Sequence, residues 1–128
     1  MLNVNPDIVC SLITRAREFQ AKEQVVIPDV PMNPADDWAL QILADHVGDL
    51  TYQEVKSTVE DLEPDQQAEL VALMWLGRGD YDMVEWENAL ADATEQLTEH
   101  TADYLLAHPL VADYLRDGLD QHGYSCEE

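Results

Sequence analysis

Helix punctuation constrains this chain more than any other feature. Asn5-Pro6 opens "NPDIVCSLITRAREFQAK", Asn33-Pro34 opens "NPADDWALQILADHVG", and Pro64 opens "PDQQAELVALMWLG". Proline suits a first helical turn because the amide it lacks would have no partner there and its φ is already helical. Gly48 and Gly77 close the second and third of these segments, where a chain leaving a helix needs the left-handed conformation. Between the marks, apolar residues recur at helical spacing. Ile8, Val9, Leu12, Ile13, Ala16 and Phe19 share one face of the first segment, as the 3.6-residue period requires. Thr51 and Glu54 have capping-box spacing, and Tyr52, Val55, Val59 and Leu62 form the stripe behind them. The second half of the Pro64 segment is apolar nearly all round, which predicts a helix surrounded by others. From Met83, the residues Trp86, Leu90, Ala93, Leu97 and Tyr104 predict one long helix. Pro109 ends it by pushing His108 out of the helical region, and "PLVADYLRDGLDQ" starts again.

No run alternates β-branched and polar residues, so no strand is expected. The expectation is an all-α, single-domain bundle of about six helices with short connections over residues 1–128. Residues 24–34 hold three prolines within seven positions and read as an extended connector, kept against the core by Val25, Val26 and Ile27. Residues 121–128 read as a polar tail.

The chain has 27 acids against 6 bases, a formal charge of −21. Direct binding to nucleic acid needs clustered Lys and Arg, and docking on anionic lipid needs the same, so neither is expected. The balance favours solubility and a basic protein partner. Cys10 lies on the apolar side of the first helix and reads as a small core residue. Cys126 stands in the polar tail without a neighbouring base, and two thiols make neither a disulfide framework nor a zinc site. The first ten residues lack a basic stretch followed by an apolar one, and "LVALMWL" is too short to span a bilayer. The expected compartment is the cytoplasm.

The stretch "LGRGDYDMVEWENAL" holds three motifs that compete for one corner. With Glu85 as the last residue of a calcium loop, Gly79 takes the glycine position and Asp82 the ninth. The early ligand positions then fall on Met74, Leu76 and Arg78, which supply no oxygen, whereas calcium needs six or more. The Arg78-Gly79-Asp80 triplet recurs by chance and has no export signal beside it. Helix punctuation remains. Gly77 or Gly79 ends one helix, while Asp82 and Glu85 cap the next. Arg78 pairs with Asp80 or Asp82, or binds the last carbonyls, and is available as a contact point because Arg is enriched in binding hot spots.

Catalytic constellations are sparse. His46 with Asp49, or His100 with Asp103 and Glu99 beside them, could contribute two ligands, but neither spells a metal motif and a catalytic metal usually wants three. Ser11, Ser57 and Ser125 have no positioned base, and no glycine-rich loop cradles phosphate. Asp36-Asp37 and Asp61/Glu63/Asp65 sit where helix starts favour acids. No cofactor is expected. One ladder stands out: Glu95, Glu99 and Asp103, continued by Asp113, Asp117 and Asp120. Like charges four apart repel on a helix, so the ladder is a solvated face, a surface put to use, or a mark of high salt that screens it. Trp38, Trp75, Trp86, Tyr52, Tyr104 and Tyr114 fit core positions at helical spacing.

Four segments, "DDWALQILADH", "DLTYQEVKSTVEDLEPDQQAELVALMWLGRGDY", "EW" and "YLLAHPLVADYL", resemble a bacterial family of short proteins classed only as a domain of unknown function. The resemblance runs from about Val9 to about Leu119 and is most specific in the central segment. It implies a small helical bacterial protein and carries over no activity, cofactor or catalytic residue.

The resulting expectation is a non-catalytic protein–protein interaction module. Its contact residues are Arg78, Asp80 and Asp82 at the corner and Glu95, Glu99 and Asp103 on the acidic face. Two alternatives stay open: an acidic nucleic-acid mimic that occupies a basic groove, and a metal-assisted enzyme using His46 or His100 with nearby carboxylates.

Overall fold

Pro6 begins the first helix, as the sequence predicts. The computed structural model describes residues 2–23, 50–98, 100–108 and 110–126. In it α1 spans Pro6–Glu23, with the Asn5 side chain accepting from the Asp7 amide at 2.9 Å. Val9, Leu12, Ile13, Ala16 and Phe19 are buried along one face, and Ile8 is partly buried at its edge.

The connector at 24–34, the helix from Asn33 to Gly48 with Trp38, His46 and Asp49, and the residues Glu99 and Pro109 lie outside the described residues.

Helix α2 is Leu50–Glu60, and α3 is Pro64–Arg78. Tyr52, Val55 and Val59 form the expected buried stripe of α2. The predicted Thr51–Glu54 capping box is not what the structure builds. Thr51 lies inside the helix and is buried, and the Glu54 carboxylate is paired with Arg15 of α1. A carboxylate offered a guanidinium across a helix contact has a stronger partner than a backbone amide of its own turn.

Helix α3 is the centre of the described bundle. Every residue from Ala68 to Leu76 is buried, and the helix packs against the three that follow it. These are α4, Trp86–Gln96; α5, Thr101–Leu106; and α6, Val111–Gln121. Helix α1 packs on α6 and α2, and α2 on α5. No strand occurs among the described residues, so the expected all-α bundle is the fold.

The closest crossing, α3 against α6, is made by absent side chains. A Cβ on Gly77 would sit 1.8 Å from the Tyr114 carbonyl oxygen, and one on Gly118 would sit 2.5 Å from that of Leu73. Gly77 therefore does not end α3, as the sequence suggested. It lies within the helix and lets α6 approach backbone to backbone.

Glu69 is the one carboxylate in the buried stretch of α3, at 2% exposure. Its two oxygens each accept from the Asn3 amide at 2.9 Å, and one accepts from the Val4 amide at 2.7 Å. A buried carboxylate needs such donors to offset lost hydration. Here it fixes the segment preceding α1 onto the centre of the fold.

The long helix predicted from Met83 past Tyr104 is two helices. At Leu97 the backbone turns extended, with ψ at 134°. The Thr98 hydroxyl then accepts from the His100 amide at 3.1 Å, and Thr101 donates to the Thr98 carbonyl at 3.0 Å. Threonine side chains of this kind offer the backbone an alternative to the helical ladder. The break redirects α5 onto α2.

The cysteines also differ from the expectation of two separate thiols. Cys10 of α1 and Cys126 are joined in a disulfide, with Cα atoms 5.6 Å apart across a sequence separation of 116. No local signal announces this pairing, because it is the packing of α1 on α6 that brings Cys10 and Cys126 together.

Candidate functional site

The corner between α3 and α4 is built from local signals, each visible in the structure. Gly79 takes φ of 95°, the left-handed conformation. Its amide donates to the carbonyls of Trp75 and Leu76 at 3.1 and 3.2 Å, and the Asp80 amide donates to Trp75 at 3.0 Å. These bonds satisfy carbonyls that a helix end leaves open. Arg78 turns back on the same loop, with its Nε 2.7 Å from Asp80 Oδ2. The expected Arg78–Asp80 pair is present.

Asp82 and Glu85 form the expected reciprocal box. Asp82 Oδ1 accepts from the Glu85 amide at 3.1 Å, and Glu85 Oε1 accepts from the Asp82 amide at 3.2 Å. The box caps a short 3-10 turn, Met83–Glu85, and α4 follows from Trp86. Both acids also meet the positive end of the α4 dipole.

The loop is braced from beneath. Tyr81 stacks on Trp75, with centroids 5.7 Å apart and planes 24° from parallel, and its hydroxyl donates to Asp92 of α4. That hydrogen bond, with partial burial second, pushes the Tyr81 phenol up to about 12, since the carboxylate favours the protonated phenol. Trp75 in turn donates its indole N–H to the Tyr104 hydroxyl at 2.9 Å. Burial raises the Tyr104 pKa, opposed by the Trp75 bond and the Arg78 charge. Trp86 is buried and meets the edge of His122 at 4.3 Å.

What this frame presents outward is apolar. Val84 is 94% exposed and Met83 39%, while Asp80, Asp82, Glu85 and Glu87 stand exposed around them. The sequence held a signal for this tip. Trp86, Leu90 and Ala93 fix the inner face of α4, and Val84, two residues before Trp86, falls on the opposite side of a helical wheel.

The acidic ladder does not survive as one face. Glu95 is exposed near the end of α4, Glu99 lies outside the described residues, and Asp103 is 1% exposed on α5. Asp103 accepts from the Tyr52 hydroxyl, and its other oxygen has no hydrogen-bond partner among the described residues. This pairing raises the Tyr52 pKa, after burial as the larger cause. In a chain with 27 acids the inward one carries no distinguishing local mark. Asp113, Asp117 and Asp120 are exposed on α6, where Arg17 of α1 lies 3.2 Å from Asp113. Asp103 thus turns inward to Tyr52, whereas His100 stands partly exposed before α5. Among the described residues no group of three His, Cys, Asp or Glu side chains is placed to hold a metal ion.

A family model described as "Protein of unknown function (DUF3775)" matches residues 52–124. The match starts within α2 and includes the whole corner, so it begins later than the resemblance read from the sequence and runs a few residues further. No curated protein and no solved structure matches the chain.

Proposed function

The chain belongs to the DUF3775 family of unknown function, and we propose that it is a non-catalytic protein–protein interaction module of the bacterial cytoplasm. The observation that carries this reading is the corner: an exposed Met83–Val84 tip on a turn held by the Asp82–Glu85 box and the Tyr81–Trp75 stack. A pre-ordered contact loses little conformational entropy on binding. Methionine adapts to an irregular partner surface, and valine supplies a rigid apolar knob.

Charge defines the partner. Asp80, Asp82, Glu85 and Glu87 ring the tip, and Glu95 extends the negative surface along α4. A complementary surface is an apolar dimple rimmed by Lys and Arg, on a basic protein drawn in by the −21 charge. Arg78, tied to Asp80, shapes the loop from inside the ring. No described helix is long and apolar enough to cross a membrane.

The test is a photo-crosslinking residue placed at Val84, with exposed Glu60 as the control position. Crosslinking in lysate should capture a basic protein from position 84 and not from 60. Capture should weaken with added salt and be lost when the crosslinking chain itself carries Met83→Glu. Equal capture from both positions, or none from 84, overturns the reading.

A further inference from the structure

The disulfide joins two cysteines that pack at the margin of the core, and its surroundings describe a fastening that opens. Both cysteines are only partly buried, which leaves the bond near the surface. The segment it fastens has few other ties. After α6 the chain reverses at Gly123, φ 87°, with the Gly123 and Tyr124 amides donating to Asp120 and Leu119 at 3.0 Å each. Tyr124 packs partly against the core. Among the described residues no hydrogen bond joins Ser125 or Cys126 to anything else.

We infer that Cys10–Cys126 is a reducible latch that holds the end of α6 and the following tail against α1. The exchange is complete with a dithiol as co-reactant. A thiolate of the donor attacks one cysteine sulfur, the Sγ–Sγ bond breaks, and a mixed disulfide forms. The donor's second thiolate then displaces the bound cysteine. The donor leaves as its own disulfide, two electrons pass to the protein, and Cys10 and Cys126 take up two protons as thiols.

Opening has a defined reach. Without the latch, no hydrogen bond among the described residues holds Ser125 and Cys126, and the last turn of α6 keeps its helical bonds and two side-chain contacts. That turn carries His122, edge-on to Trp86, and Gln121, whose Nε2 lies 3.5 Å from the Leu76 carbonyl. Trp86 therefore reports the state of the latch. Helix α3, buried from Ala68 to Leu76, does not depend on it. The inference is independent of the partner proposed for the corner.

The experiment compares the full chain oxidised, reduced with dithiothreitol, and as the Cys10→Ser/Cys126→Ser variant. Alkylation and intact mass count the thiols, and hydrogen exchange reads each segment. The oxidised chain should take up no alkylating agent and the reduced chain two equivalents. Reduced and variant chains should both exchange at least about tenfold faster from His122 to Cys126. The Trp86 indole resonance should shift in both, while Leu70 to Leu76 keeps its protection. Three results overturn the latch: thiols that stay free in air-oxidised protein, a tail whose protection ignores reduction, or loss of protection through α3 as well. The last would make the bond a structural staple of the whole fold.

Discussion

The α3–α6 crossing and the corner that follows it meet at Gly77, yet they hold their shapes by opposite means. The crossing is close because two side chains are missing, at Gly77 and Gly118, and backbone lies on backbone. The corner is fixed because several polar groups are present, each answering an open helix end. Close packing of this kind has no slack, whereas a capped turn at the surface has water as an alternative partner. The two regions should therefore fail differently when altered.

The crossing should give the largest effect. Gly77→Ala places a methyl 1.8 Å from the Tyr114 carbonyl, a backbone atom that moves only if a helix does. A loss of about 3 kcal/mol or more is expected in urea denaturation. Gly118→Ala meets the Leu73 carbonyl at 2.5 Å and should cost somewhat less. If both variants keep wild-type midpoints, the crossing is looser than described and the contrast fails.

A carboxylate that receives backbone amides occurs in both settings, which separates burial from chemistry. Glu69 is 2% exposed and receives the Asn3 and Val4 amides. Glu69→Ala leaves the buried Val4 amide without an acceptor and frees the Asn3 amide, and should cost about 3 kcal/mol. Asp82→Ala removes a similar bond at the surface, where water replaces it, and should cost about 1 kcal/mol. Equal losses for the two would show that burial does not set the difference.

The same contrast explains what the sequence could reveal. Capping signals are local, so the Asn5-Pro6 start, the left-handed turn by Gly77 or Gly79 and the Asp82–Glu85 box were all legible. The apolar faces of α1 and α3 were legible through their period. Features set by distant partners were not. Gly77 looked like a helix end because nothing beside it announces Tyr114, 37 positions away by its number. Cys10 and Cys126 pair across 116 residues. Glu69 and Asp103 resemble every other acid of a chain carrying 27 of them, and only the fold turns them inward. The break at Leu97 was present locally, in Thr98 and Thr101, but the apolar spacing running through it hid the signal. At the candidate site the polar frame was read and the apolar tip was not, because single exposed apolar residues are common.

Alkaline pH tests the corner without touching the crossing. The folded pKa of Tyr81 stands at about 12 against an ordinary 10.0. A group whose pKa rises on folding adds stability below its unfolded value and loses it as pH climbs to the folded one. Tyr81 should thus contribute below pH 10 and progressively cease to between 10 and 12. Tyr81→Phe should be less stable at neutral pH by about 0.5–1 kcal/mol, the share of one hydrogen bond. The gap to wild type should close over that alkaline range, since Tyr52 and Tyr104 titrate in both proteins. A gap that stays constant from neutral to alkaline pH would show that the Asp92 bond does not hold the phenol proton.

The smallest expected effect is the most telling about function. Val84 is 94% exposed and packs against almost nothing, so Val84→Ser should change stability by less than about 0.5 kcal/mol. It should also leave the Asp82–Glu85 box intact, because that box uses only backbone amides and two carboxylates. On the proposed function, a residue that the fold does not need, held in place by a frame that the fold builds with several bonds, acts on a partner. If Val84→Ser lowers stability as much as Asp82→Ala, the tip is packed after all and belongs to the fold. If it leaves stability unchanged while weakening partner capture, the corner divides cleanly into a polar frame that serves the fold and an apolar tip that serves binding.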